Sequence, residues 1–192
     1  QRLGIQVLPP DINVSDGGFT VDGQNIRFGL NAVKNVGRNL IATTVQERKE
    51  TPFRSLYDYC KRLYGVEINR RAVESLIKAG AFDRLEDTRR GMLESVEGIL
   101  KSVETDARKN VAGQLDLFSQ LDDEDEWDDY HIPKVPEYPP QELLRMEKEV
   151  SGLYLSGHPL DSYREKIEQY ATCQILALSG ESGKEYDGKQ VN

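Results

Sequence analysis

At 192 residues, with 38% hydrophobic and 30% charged residues, the chain has room for one ordinary domain or two small ones joined by a linker, and it is too polar to be packed throughout. It holds no run of roughly 20 apolar residues that could span a bilayer and no charged-then-apolar leader, which points to a cytoplasmic protein. Its two cysteines, Cys60 and Cys173, are too few and too far apart for a disulfide framework or a metal-ligand spacing, so both are expected to be reduced. The net charge of −8 divides unevenly, with +3 over residues 1–110 and −11 over residues 111–192, so contact with a polyanion is expected before Gln114. Starting at Gln1 in a strand-like stretch and ending at Lys189-Gln190-Val191-Asn192, the chain reads as an internal piece of a larger protein.

In chain order, Leu3 to Leu8 reads as a strand, followed by turn signals at Pro9-Pro10-Asp11 and Asp16-Gly17-Gly18. Phe19-Thr20-Val21 and Ile26-Arg27-Phe28 alternate around Asp22-Gly23-Gln24-Asn25, a hairpin signal, so a small β ribbon is expected. Leu30 to Glu47 has a helical pattern interrupted at Asn35-Val36-Gly37 and ended by Pro52. Ser55 can cap a helix over about 56–64 that buries Leu56, Tyr59, Cys60 and Leu63. Asn69 can cap the next helix, with Val73, Leu76 and Ile77 as its stripe and Gly80 placed to end it left-handed. A third helix is expected over about 88–106, with Met92, Leu93, Val96, Ile99, Leu100 and Val103 inward.

Composition changes at Asn110. The run Asp122 to Asp129 carries too much like charge to pack, and Pro133, Pro136, Pro139 and Pro140 favour extended chain, so this stretch reads as a linker. Beyond it come an amphipathic helix from Gln141, with Leu143, Leu144, Glu147, Val150 and Tyr154 on one side, and a shorter helix over about 160–170.

Two motifs carry the functional reading. In Leu30 to Ile41, two helical segments joined by Asn35-Val36-Gly37 would leave the backbone N–H groups of the following helix at an exposed end, where they and the helix dipole suit a phosphate. Asn35 tolerates the positive φ such a turn requires, Val36 would plug the hairpin into the core, and Lys34 and Arg38 add charge beside the site. The bland alternative is a hairpin used only for packing. The similar stretch Leu76 to Asp83 places Asp83 where a phosphate would approach, which favours a structural role there; Arg70 and Arg71 could still reach a backbone phosphate.

The second motif is Gln114-Leu115-Asp116-Leu117-Phe118, an amide followed by large apolar side chains next to a sequence that cannot build a core. A strict match to Gln-Leu-(Ser or Asp)-Leu-Phe arises by chance in about one chain of this length in a thousand. Burial of Leu117 and Phe118 contributes roughly 1.5–3 kcal/mol each, against about 1–2 kcal/mol per residue ordered. A weak, micromolar-like docking peptide is the expectation, useful when a second contact raises its effective concentration. The Asp122–Asp129 carboxylates lack the scaffold that catalytic metals need, and His131 and His158 have no catalytic partner at recognisable spacing, so neither an active site nor a metal site is expected here.

Five blocks, Leu3–Asn13, Ile26–Gly37, Asn69–Asp83, Gln114–Phe118 and Gly152–Asp161, occur in the order found in the alpha subunit of bacterial DNA polymerase III, which the chain resembles along nearly its whole length. The resemblance implies a mainly α fold: the end of the fingers with a β ribbon over 1–29, and a tandem helix-hairpin-helix domain gripping duplex DNA over 30–110. It further implies a clamp-binding motif and acidic linker over 111–140, and a helical connector to an OB-fold domain over 141–192. Joined to the reading of the residues above, it puts Lys34, Asn35, Val36, Gly37 and Arg38 on duplex DNA and implies that Gln114, Leu115, Asp116, Leu117 and Phe118 bind the sliding clamp (beta subunit); Arg70 and Arg71 are further DNA candidates read from the residues alone, against the alternative of a solvated helix face. The catalytic aspartates, and the Mg2+ expected for the polymerase, would lie outside this fragment, which needs no cofactor of its own; other replisome subunits would bind elsewhere. The alternatives are a non-enzymatic DNA-repair adaptor combining a helix-hairpin-helix with a clamp peptide, and a purely structural scaffold.

Overall fold

The computed structural model describes residues 4–86, 88–111 and 130–170. The chain forms two compact units, residues 1–156 and 157–192. Gln114 to Phe118, the acidic run 122–129 and Cys173 lie outside the described residues.

Local chemistry sets the first elements. Strands β2 (Thr20–Asp22) and β3 (Asn25–Arg27) pair antiparallel across the two-residue turn Gly23-Gln24, where Gly23 has φ +61, the left-handed conformation that glycine adopts without cost. Strand β1 (Val7–Leu8) adds parallel to β3, a pairing that alternation alone does not reveal. The ribbon is tied to the helices by polar groups. Arg27, buried, donates to Asp22 and to the Pro9 carbonyl. Asn13 exchanges two hydrogen bonds with the Phe53 backbone, and Arg48 donates to the carbonyls of Ile12, Val14 and Ser15.

The expected pair of helices over 30–47 is corrected. Leu30–Ala32 makes one 3-10 turn, and only α1 (Arg38–Glu47) is a full helix. The segment before Asn35 is too short to nucleate an α-helix, and its donors are engaged elsewhere: Leu30 N–H on Asp16, Asn31 N–H on Gly17 and Lys34 N–H on Val150.

The next helices follow the sequence reading. In α2 (Leu56–Arg62) the Ser55 hydroxyl accepts from Asp58 N–H at 3.1 Å, and in α3 (Arg70–Lys78) the Asn69 side chain accepts from Ala72 N–H at 3.0 Å; Gly80 turns left-handed at φ +84. Helix α4 (Arg89–Val111) runs beyond the expected end at 106 and packs on α2 and α3. Met92, Val96, Ile99 and Val103 are buried, and Leu93 and Leu100 pack at the margin of the core. Cys60, fully enclosed, has its thiol pushed up to about 12 by burial, so it is an inert core residue.

The linker reading is corrected for residues 130–139. Their prolines hold them extended, but they form a strap docked on α4. Tyr130 stacks on Tyr57 with ring centroids 6.4 Å apart, Ile132 packs on the core, and the Glu137 carboxylate accepts from Arg89 N–H at 2.6 Å and Arg90 N–H at 3.2 Å. The physical reason is a notch. Gly91 and Gly98 stand two turns apart on α4, and a Cβ on either would collide with the strap, at the Pro133 carbonyl and the Tyr130 hydroxyl respectively. Gly98→Val is therefore expected to destabilise the fold by about 1–3 kcal/mol in urea unfolding. Adding Tyr130→Ala should make the two effects markedly non-additive; additive effects would show that Tyr130 does not occupy the notch.

Helix α5 (Pro140–Ser151) packs on α3 and buries Leu144, Met146, Glu147 and Val150; Met146 lies outside the expected stripe, and Leu143 and Tyr154 are half-buried. In the second unit, Asp161–Tyr163 forms a 3-10 turn leading into α6 (Arg164–Tyr170). His158-Pro159 belongs to a turn, closed by His158 N–H donating to Asp161 Oδ2 at 2.7 Å and Leu160 N–H to His158 Nδ1 at 3.2 Å.

Candidate nucleic-acid interface

The turn between the 3-10 segment and α1 is built for close approach. Asn35 takes φ +65, which reverses the chain, and its amide donates to the Ser75 hydroxyl on α3 at 3.1 Å. Val36 is half-buried against the core and fixes the turn's depth. Gly37 is the N-cap of α1, and no side chain caps the helix. The first N–H groups of a helix have no intrahelical partner and carry its partial positive charge. Gly37, Arg38 and Asn39 are all exposed, so this end of α1 faces solvent.

The cations expected around it divide. Arg38 and Arg71 are exposed, and among the described residues neither has a carboxylate in salt-bridge range. Arg71 lies one turn before Ser75 on α3, the residue that holds the Asn35 amide, so it stands on the side of α3 that meets the turn. Arg70 is committed elsewhere: it contacts Glu74 at 2.6 Å and Glu97 at 2.9 Å, and the Glu74 hydrogen bond foremost holds its pKa above the ordinary arginine value. Lys34 donates its ammonium to the Glu149 carbonyl at 2.8 Å, neutralising the negative end of α5. Its charge remains beside the turn, but its position is tied to α5.

The second hairpin differs in kind. After Gly80 the chain does not enter a helix: Phe82 is fully buried, turns continue, and α4 begins only at Arg89. The Asp83 carboxylate is held by Arg89 at 2.7 Å, and the start of α4 already receives Glu137 and the Thr88 hydroxyl. Arg89 also donates to Glu147, completely buried on α5, at 3.1 Å. Burial opposes the charge of Arg89, and Asp83 and Glu147 outweigh it, raising its pKa above the ordinary value. This copy of the hairpin is occupied by internal charges.

A model of the helix-hairpin-helix motif matches residues 4–92. Over 171 residues, 88% of the chain, the sequence is 39% identical to DNA polymerase III subunit alpha of Escherichia coli K12. Over 192 residues, 98% of the chain, it is 41% identical to that of Thermus aquaticus. Over 177 residues, 91% of the chain, it is 37% identical to that of Vibrio cholerae serotype O1. The chain belongs to the DNA polymerase III alpha-subunit family. It spans about 15% of the length of these relatives.

Within this family segment, sequence reasoning missed two groups. Glu67, on the loop between α2 and α3, has φ +48 and places its carboxylate near Asn39 Nδ2, at 3.5 Å. Glu147 lies on the expected inward stripe of α5, yet nothing in the sequence pairs it with Arg89, 58 residues away. No helix among the described residues is long and apolar enough to cross a membrane, and no three acidic, histidine or cysteine side chains among them cluster as metal ligands.

Proposed function

We propose that this segment is the duplex-holding part of a replicative DNA polymerase subunit acting in the cytoplasm, gripping DNA by its backbone without reading sequence and docking a sliding clamp through Gln114 to Phe118. What supports the DNA reading is the open start of α1. After a positive-φ turn it presents uncapped backbone donors flanked by the exposed cations Arg38 and Arg71, within a match to the helix-hairpin-helix motif. Two adjacent N–H groups and a helix dipole favour a phosphate oxygen over any base edge, so the contact positions the duplex and is the same for every sequence.

The chemistry of nucleotide addition, and the Mg2+ expected for it, belong in this proposal to other parts of the protein, the chain spanning about 15% of the length of its relatives. The clamp reading rests on the pentapeptide itself and on the relatives being named as polymerase subunits, which also favours a polymerase over a repair adaptor. Other replisome partners would be met elsewhere.

The duplex contact is tested by fluorescence anisotropy with a short duplex across a salt series. Arg38→Ala with Arg71→Ala is expected to lower affinity roughly tenfold at low salt and to reduce the slope of log K against log salt by about two, one for each phosphate that is no longer neutralised. An unchanged slope would favour the packing-only hairpin. Lys34→Ala should weaken binding less than Arg38→Ala, because the Lys34 ammonium is held by α5.

A further inference from the structure

We infer that Glu67 is a built-in competitor for the phosphate at the α1 turn, limiting how tightly the segment holds DNA; this rests on the duplex-binding reading above. The start of α1 has no side-chain cap and no acidic residue in its first turn, so its positive end has no counter-charge from its own helix. An anion nevertheless stands there. A Cβ built on Gly37 would lie 3.4 Å from Glu67 Oε2, and Glu67 Oε1 accepts from Asn39 Nδ2 at 3.5 Å. With glycine at the N-cap, no side chain separates the carboxylate from the region of the first-turn amides.

The placement of Glu67 is specific. A non-glycine residue at φ +48 is uncommon, and here it reverses the chain between Gly65, at φ +89, and the Asn69 cap. The Glu67 carbonyl is in turn held by Asn69 Nδ2 at 3.2 Å. The loop thus hangs Glu67 between the start of α1, which its side chain reaches, and the start of α3, which follows three residues after it, just beyond the Asn69 cap. Both helix starts favour an anion.

Glu67 is exposed and its contact with Asn39 is long, so the carboxylate can swing aside when a phosphate arrives. Until it does, it lowers the local potential that Arg38 and Arg71 raise. The outcome is a grip strong enough to retain duplex and weak enough to release each phosphate as the protein advances. Glu67 is a positioning and affinity-setting residue in this role.

The experiment measures duplex affinity of the full-length subunit, without clamp, by anisotropy over a salt series, for the native protein, Glu67→Gln, Glu67→Ala and Arg38→Ala. Both Glu67 variants are expected to bind about three- to fivefold tighter at low salt, the size of one exposed carboxylate–phosphate repulsion. The gain should shrink as ionic strength rises. If Arg38→Ala weakens binding while the Glu67 variants match or fall below the native protein, the inference fails and the duplex reading stands. Tightening by Glu67→Gln alone, with Glu67→Ala unchanged, would assign the gain to a new amide hydrogen bond and overturn the competitor role. If Arg38→Ala has no effect, the phosphate reading falls, and the inference with it.

Discussion

Replacing Arg89 by Met is expected to destabilise the first unit by about 3–5 kcal/mol, measured by chemical denaturation, because it leaves Glu147 as an uncompensated carboxylate with no solvent exposure. One Glu147 oxygen accepts from Arg89, and the other accepts from Leu155 N–H at 2.8 Å and Ser156 N–H at 3.0 Å. Glu147→Ala should cost a similar amount by a different route, orphaning two backbone donors and removing one of the two carboxylates of a buried guanidinium. The decisive variant is the double substitution Arg89→Met with Glu147→Gln. A glutamine oxygen can still accept from Leu155 and Ser156 while its amide faces a neutral neighbour, so the double variant should be more stable than Arg89→Met alone. Equal stability of the two would mean that the Arg89–Glu147 charge pair does not hold α5 to the start of α4.

Substituting alanine for Gln114, Leu117 and Phe118 together is expected to lower the affinity of the full-length subunit for the clamp a hundredfold or more, since the two apolar side chains contribute roughly 1.5–3 kcal/mol each when buried. Surface plasmon resonance on immobilised ring measures this directly. Polymerisation on primed template should then yield short products at low enzyme concentration while the rate per binding event is unchanged, as expected when only effective concentration falls. An unaltered clamp affinity would rule the peptide out as the docking element. Asp116→Ala should have little effect, because no buried contact is assigned to that side chain.

What is legible in the sequence is local. Ser55, Asn69 and Gly80 can be assigned because a cap or a left-handed end is decided by a residue and its neighbours within four positions. Asn35 is the same case: its side chain tolerates the φ +65 that the turn imposes. Elements that escape the sequence share a different cause. The addition of β1 to β3, the docking of 130–139 in the notch at Gly91 and Gly98, and the ties of Lys34 to α5 and Arg89 to Glu147 join residues 19 to over 100 positions apart. The charge asymmetry is a partial guide. It suggests a first half free to meet a polyanion, whereas Glu137, Glu147 and Glu149 return from the acidic half to the start of α4, to Arg89, and to Lys78. Arg38 and Arg71 stand out as exposed cations that those carboxylates leave alone.

The length of α4 has a consequence for the proposed assembly. Arg70, at the start of α3, contacts Glu97 on α4, and Val111 lies 14 positions further along that helix, about 21 Å at roughly 1.5 Å per residue. Gln114 follows only three residues later, within roughly 10 Å of the helix end even if fully extended. In the proposed assembly a ring held at that peptide would be offset from the hairpins by a stiff ruler, the same rod to which the strap from Tyr130 is pinned. The distance between the two proposed grips on one duplex would then be set by helix geometry, and their combined hold would depend on the register of a single helix.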